Sequence, residues 1–338
     1  MKRYVTKISG SDHYIYKIGF GTYDILKSGL TTDEIKELLS DFVSMGGNVI
    51  DTSRCDIGPR KYEVEEAQKL VGQWIKESGK REISCLVAKS NCLLNRKESK
   101  ESLLKESLLK EDLELSLKNL NTDYIDVFLV NGDDRETEVS AILNELERFK
   151  LEGKILNYGC SNWKPYRIRQ AMEFAVENNL DGFTVNQMLW NVGSKYMNPF
   201  KDHDLYVKMN EEMMEIHRQY KILAMPYNSL ANGMFAKLYT NENEPGSIDI
   251  ESLKENSPYY TKSNLKIYDR MKKIGDKYIA APGWVALGYL FNQEIDTCSI
   301  LSCRSLSQLR EAFEAIDRGY TYEDFRDIDV FEKEMALV

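Results

Sequence analysis

Gly46-Gly-Asn-Val-Ile-Asp-Thr-Ser-Arg-Cys-Asp56 decides how the rest of the chain is read. A glycine pair is followed by two β-branched residues, Val49 and Ile50, and the apolar run stops abruptly on a carboxylate, Asp51. β-Branched residues bounded by glycine favour a strand. A buried strand that stops on an acid delivers a functional group to the rim of a barrel. Six segments downstream have the same form, an apolar run closing on a polar residue.

Working outward, the residues upstream of Gly46 read as a helix. Thr31-x-x-Glu34 is a capping box, Ile35, Leu38, Leu39, Phe42 and Met45 form one apolar stripe, and Gly46 ends it. Further upstream, residues 17–22 read as a strand ending at Gly21-Thr22, and 3–8 with 14–18 as a hairpin around Ser11-Asp12 that caps one end of the fold. Downstream, strands are expected at 83–88, 124–130, 155–160, 182–185, 222–225 and 298–301, closing on Lys89, Asn131, Ser161-Asn162, Asn186-Gln187, Tyr227 and Ser302-Cys-Arg304. Helices are expected at 63–78, 137–152, 165–178 (with Pro165 suited to its first turn), 263–279, 281–292, near 305–317 and at 321–336. Residues 97–111 carry a duplicated Ser-Leu-Leu-Lys-Glu, read as a solvated amphipathic helix whose buried side is Leu109, Leu113, Leu117 and Leu120. Residues 240–262, rich in Asn, Glu, Ser and Pro, read as one long variable loop.

Eight short strands alternating with helices argue for a parallel sheet covered on its faces. An open doubly wound sheet and a closed (β/α)8 barrel both fit alternation alone. The number eight, and the lack of a break in composition along 1–338, favour a single-domain TIM barrel with a hairpin cap and extra C-terminal helices. Neither G-x-G-x-x-G nor G-x-x-x-x-G-K-[ST] occurs, which argues against a Rossmann or P-loop nucleotide site.

The 338 residues are 42% hydrophobic and 29% charged, a globular composition, and 45 basic against 54 acidic side chains leave a net charge of −9. That acidity argues against nucleic acid and anionic membrane surfaces as partners. The six cysteines (55, 85, 92, 160, 298 and 303) show no C-x-x-C spacing and read as reduced thiols, and the start of the chain lacks an apolar signal core. A cytoplasmic protein is expected. The three histidines, His13, His203 and His217, are far apart, give no metal-ligand cluster, and read as ordinary surface or partly buried residues.

Polar strand ends build the active site of a (β/α)8 barrel. A lone Asp or Lys after a strand is more often a cap or turn residue, but eight such ends in succession point to a single polar pocket. In order and spacing these ends resemble the aldo-keto reductases across about residues 18–311. The resemblance is carried by Gly47-Asn-Val-Ile-Asp-Thr-Ser53, Leu86-Val-Ala-Lys89, Asn121-Thr-Asp-Tyr-Ile-Asp-Val127, Gly153-Lys-Ile155, Gly159-Cys-Ser-Asn-Trp163, Asn186-Gln187, Ser302-Cys-Arg-Ser305 and Gln308-Leu309. The Ser-Asn-Trp form with Asp133-Asp134 is similar to the bacterial aryl-alcohol-dehydrogenase-like or sugar-reductase-like branches.

The resemblance implies an NADP(H)-dependent oxidoreductase, with NAD(H) the less frequent cofactor, acting on a small carbonyl or alcohol. It puts Ser161, Asn162 and Gln187 on the nicotinamide carboxamide, Tyr227 flat against the ring, and Gly21-Thr22 beneath the ring edge. Asn228 and Leu230 join this cofactor set. Ser302, Arg304 and Gln308 then hold the adenosine end, Arg304 near the 2′-phosphate and Gln308 near adenine. Position 312, where the family often has an adenine-contacting Asn, is Ala312.

The family's catalytic set is an Asp, a Lys, a Tyr that protonates the substrate oxygen, and a His that orients the carbonyl. Asp51 and Lys89 match. Asp56 stands where the Tyr is expected and Asn131 where the His is expected. Beside Lys89, Asp56 is expected to be held ionised, which makes it a base and a poor acid for carbonyl reduction. Asn131 can hydrogen-bond an oxygen but cannot carry a proton. Tyr23 and Tyr62 could stand in for the phenol, although pocket wall and loop surface are their simpler readings. Three functions follow from these residues: an oxidoreductase with altered proton handling, a dinucleotide-binding accessory or sensor protein with little turnover, and an isomerase or lyase using Asp56 as base.

Overall fold

The computed structural model describes residues 5–8, 14–53, 61–90, 106–135, 137–200, 206–326 and 328, with backbone alone for 61–64 and for 106–107. After a hairpin of β1 (Val5–Lys7) and β2 (Tyr14–Tyr16), eight parallel strands form its centre: β3 (Ile18–Gly21), β4 (Val49–Asp51), β5 (Cys85–Lys89), β6 (Ile125–Asn131), β7 (Ile155–Ser161), β8 (Val185–Leu189), β9 (Leu223–Tyr227) and β10 (Ser299–Leu301). From β3 to β9 each pairs with the next in sequence, and β10 pairs with β3. The remaining seam, between β9 and β10, is bonded just ahead of β10. There the Cys298 amide donates to the Ala224 carbonyl at 2.9 Å, and the Ala224 amide to the Asp296 carbonyl at 3.0 Å. The expected (β/α)8 barrel is the observed architecture.

The helices that cover the barrel follow from their stripes and caps. In α1 (Thr32–Ser44), Thr31 and Glu34 form the expected capping box and Ile35, Leu38, Leu39 and Phe42 are buried. Gly46 then turns the chain at φ 100°, and a side chain at Gly47 would strike the Phe42 ring at 2.3 Å, so both glycines of the opening stretch are required there. Next come α2 (Lys61–Ser78), α3 (Glu106–Leu120), α4 (Val139–Leu151) and α5 (Pro165–Asn178). Leu109, Leu113, Leu117 and Leu120 form the buried side of α3, as their spacing predicts. The first copy of the duplicated segment lies outside the described residues, apart from Glu106.

Four expectations need correction. Residues 81–83 are a 3-10 turn with Ile83 exposed, so β5 begins later than the apolar run. The strand placed at 182–185 is Val185–Leu189, because Gly182 adopts φ 71° and the strand continues through the polar pair Asn186-Gln187. A helix without a counterpart in the sequence reading, α6 (Glu211–Tyr220), precedes β9, capped by Asn210 and burying Met213, Met214, Ile216 and His217. Residues 240–262 are not one irregular loop. They hold the end of α7 (Met234–Asn243) and all of α8 (Ile250–Asn256), which Asp249 caps and Leu253 anchors, and they lead into α9 (Lys262–Tyr278). Then α10 (Pro282–Phe291), α11 (Leu306–Asp317) and α12 (Tyr322–Phe325) close the described chain.

The hairpin strands β1 and β2 pair antiparallel. Asn48 ties β2 to the start of β4, accepting from the Tyr16 amide and donating to the Tyr14 carbonyl. Ile8 and Ile15 pack with Val49, Cys85, Val127 and Cys298, which line the barrel interior, so the hairpin closes the N-terminal end. Strand alternation divides the wall. Phe20, Ile50, Leu86, Phe128 and Cys160 face the helices, whereas Val49, Val87, Leu129, Val185 and Met225 face inward.

Candidate functional site

The inward parity runs on to the C-terminal strand ends and there turns polar. Counting by twos from the interior apolar residues gives Asp51 after Val49, Lys89 after Val87, Asn131 after Leu129, Gln187 after Val185, Tyr227 after Met225 and Ser302 after Ile300. The ladder supports the same layer, pairing Gly21 with Asp51, Asn131 with Ser161 and Ser161 with Gln187. Backbone bonding extends one residue past these ends. Thr22 donates to the Asp51 carbonyl, Thr52 to Val87, Ser90 to Leu129, Gly132 to Ser161 and Asn162 to Gln187. The polar side chains are therefore held on rigid backbone.

At the centre, Lys89 Nζ lies 2.6 Å from Asp51 Oδ1 and donates to the Thr52 carbonyl at 2.9 Å. Gln187 Nε2 donates to the same Asp51 oxygen at 3.0 Å. Both charged residues are buried, Asp51 at 6% and Lys89 at 4% exposure. Beneath them the Thr52 hydroxyl donates to the Val87 carbonyl and accepts from Gln68 on α2, which is also held by Ser116 and Asn119 of α3. Asn131 is 4% exposed, with its amide N–H on Ser90 Oγ, and its side-chain Oδ1 accepts nothing from the described residues. Asp56, Cys55 and Cys92 lie outside the described residues, as do His13 and His203, and so does the side chain of Tyr62.

Beside this centre the candidate cofactor residues gather. Tyr227 OH donates to Asn162 Oδ1 at 2.6 Å, the Val207 amide donates to the same oxygen at 3.3 Å, and Asn162 Nδ2 reaches Ser161 Oγ at 3.5 Å. Asn162 holds φ 59°, which Asn tolerates better than most residues. Asn228 is likewise left-handed, at φ 53°. On the far side, Ser302 Oγ donates to the Gly21 carbonyl. Gln308 Oε1 accepts from the Arg304 amide at 2.8 Å, while the exposed Arg304 makes no ion pair among the described residues. Leu230 packs against the outer core. The structure thus brings together Asp51, Lys89, Gln187, Ser161, Asn162 and Tyr227 by direct bonds and strand pairing, and joins Ser302 to Gly21 separately.

Sequence reasoning missed the supports. Asn191 donates to the Asn228 carbonyl and to Tyr259 OH, and Asn264 donates to the Gly193 and Tyr259 carbonyls. Tyr259 is fully buried and its phenol is pushed up to about 12 by that burial. It sits inside the stretch read as a variable loop, so polarity concealed it. Arg167 anchors the loop after β6: it pairs with Asp133 at 2.9 Å and donates to the Asp134 and Thr137 carbonyls. Burial raises the Asp133 carboxyl above its ordinary value despite that partner.

His217 departs from its expected reading. It is 1% exposed, with Nδ1 on the Ile222 carbonyl at 2.8 Å and Nε2 against Asn186 Nδ2 at 3.0 Å. The carbonyl can only accept, so Nδ1 carries the hydrogen, and Nε2 accepts from the Asn186 amide N–H, so the ring is neutral; burial pushes its pKa down to about 4. Cys85, Cys160, Cys298 and Cys303 are free and buried. Among the described residues, no group of three or more His, Cys, Asp or Glu is placed to hold a metal ion, and no helix is long and apolar enough to cross a membrane.

Comparison with known proteins adds a family to this geometry. The model of the Aldo/keto reductase family matches residues 17–333. Norsolorinic acid reductase stcV of Emericella nidulans is 24% identical over 305 residues, covering 89% of this chain and 72% of that protein. Aryl-alcohol dehydrogenase [NADP(+)] of Phanerodontia chrysosporium is 24% identical over 307 residues, covering 86% and 74%. A solved thermostable aldo-keto reductase, in complex with the inhibitor epalrestat, superposes with a TM-score of 0.67 over 96% of this chain and 98% of its own, at 19% identity. That last likeness shows the fold.

Proposed function

The chain belongs to the aldo/keto reductase family and is an oxidoreductase by that membership; from this premise we propose that it moves a hydride between NADP(H) and a small carbonyl or alcohol. The observation that carries the reading is the buried Lys89–Asp51 pair in one inward layer with Ser161, Asn162, Gln187 and Tyr227. When bound, the nicotinamide supplies or takes the hydride. The residues present fit such a group. Ser161, Asn162 and the Oε1 of Gln187 offer the donors and acceptors a carboxamide needs, and Tyr227 offers a ring face. Arg304, exposed and free of ion pairs among the described residues, suits a phosphate dianion. Sugar-like or other polar alcohols fit the polar replacements at positions 56 and 131.

In this reading Lys89 and Asp51 set the charge around the reacting oxygen, Asn131 hydrogen-bonds the substrate, and Asp56 accepts a proton during alcohol oxidation. A second reading, a dinucleotide-binding accessory protein with little turnover, is favoured by one observation: the cofactor residues match the family better than the proton-handling ones do. Fluorescence titration with NADPH and NADH, followed by absorbance assays on a panel of aldehydes and alcohols, decides between them. Binding with turnover is the expected result. Binding without turnover, unchanged by Asp56→Tyr combined with Asn131→His, would favour the accessory role, and no binding of either dinucleotide would sink both.

A further inference from the structure

We infer that Asn131 selects substrates carrying a hydroxyl on the carbon next to the reacting one, and that its side-chain oxygen accepts a hydrogen bond from that hydroxyl. This rests on the functional reading above and narrows it. Asn131 ends β6 with inward parity, following Val127 and Leu129 into the top layer of the barrel. Its Oδ1 is buried and accepts no hydrogen bond from the described residues. A buried acceptor left unpaired costs about 1–3 kcal/mol, and such groups mark places where something else completes the bonding.

None of the described donors in that layer reaches this oxygen. Lys89 Nζ is on Asp51 and Thr52, Gln187 Nε2 is on Asp51, and the Asn131 amide N–H is on Ser90. What is left over is an acceptor, and a plain aldehyde or ketone cannot satisfy it, because a carbonyl brings no hydrogen. A hydroxyl can. A primary amide sets a donor beside its acceptor, so Asn131 can give Nδ2–H to the reacting oxygen while Oδ1 takes the neighbouring O–H. The matching ligand carries two oxygens on adjacent carbons: an α-hydroxy carbonyl in one direction, a vicinal diol in the other. An imidazole holding its proton toward the carbonyl lacks that adjacent acceptor on the same edge.

The test pairs 2-hydroxypropanal with propanal as substrates, and 1,2-propanediol with 1-propanol as ligands followed by saturation-transfer NMR. The expected kcat/KM for the hydroxylated aldehyde is at least about tenfold higher, a ratio of the size one hydrogen bond gives. Asn131→Leu, which keeps the shape and removes the amide, brings the ratio to about one, and Asn131→Ala does the same if the Leu variant folds poorly. Equal kcat/KM for the two aldehydes in the wild type would overturn the inference, as would an unchanged ratio in folded Asn131→Leu. Should neither aldehyde be reduced, the oxidoreductase reading fails by itself. The NMR arm still decides this one, since equal binding of diol and mono-ol overturns it and preferential, Asn131-dependent binding of the diol supports it.

Discussion

Two ion pairs on neighbouring strands, at opposite ends of the barrel, differ in what they leave unspent. At the N-terminal end, Arg81 reaches Asp126 at 2.8 Å and also donates to Thr122 Oγ1 and to the Ser84 and Tyr124 carbonyls, lying over the Tyr124 ring at 3.8 Å. Asp126 in turn accepts the Leu86 amide. At the C-terminal end, Lys89 makes two bonds, and a third N–H has no acceptor among the described residues. On the neighbouring strand, also facing inward, is the Asn131 side-chain oxygen, which has no partner among the described residues. A pair whose bonding is filled holds the fold together. A pair with bonding capacity to spare has something to offer a ligand.

The largest effect expected from this contrast is on turnover. Lys89→Met should lower kcat/KM by at least about a hundredfold, within the range for loss of a proton-handling group, read by cofactor absorbance on the best carbonyl of a panel. Adding Asp51→Leu should recover stability, because a hydrophobic replacement of a buried pair is often neutral, without recovering turnover. Wild-type rates in Lys89→Met would break the distinction.

Arg81→Met should act the other way. It strands Asp126 and should cost about 3–5 kcal/mol in urea unfolding, while kcat of the folded protein stays within about twofold. A large loss of kcat at unchanged stability would show that the two ends are not separate in role.

His217 belongs with the filled groups and gives a pH test. Its pKa is pushed down to about 4 in the fold, against about 6.5 when unfolded. Between those values the unfolded chain binds the extra proton, so stability rises with pH. The contribution is complete above about pH 6.5 and is lost as pH falls toward 4, amounting to about 3 kcal/mol. Urea midpoints across that window should fall more steeply for the wild type than for a folded His217→Gln variant. Parallel curves would contradict the assignment.

The smallest effect expected is at Tyr227. Its hydroxyl bonds Asn162, so Tyr227→Phe should weaken dinucleotide binding by up to about tenfold, measured by fluorescence titration, with little change in melting temperature. Tighter binding would mean the hydroxyl competes with the carboxamide instead of steadying its partner.

The residues that could be read from the sequence are those whose chemistry is local. Val49-Ile50 closing on Asp51, Thr31 with Glu34, and Pro165 opening α5 each carry their own signal, and the structure places each where that signal puts it. The layer of polar strand ends was legible because parity is a property of the strand itself. What stayed hidden depends on partners distant in sequence. Asn186 makes β8 look too polar to be a strand, yet it is buried against Met213 and His217 of α6. Tyr259 looks like a loop residue, and Asn264 like an ordinary polar residue of its helix, until Asn191 and Gly193 meet them. Arg81 looks like a surface charge until Asp126, 45 positions on, supplies its carboxylate.

The hairpin carrying Ile8 and Ile15 gives the barrel a floor. Above that floor Val49, Val87, Val127, Leu129, Val185 and Met225 fill the interior, so nothing passes through the barrel and its polar layer can be approached from the C-terminal face alone.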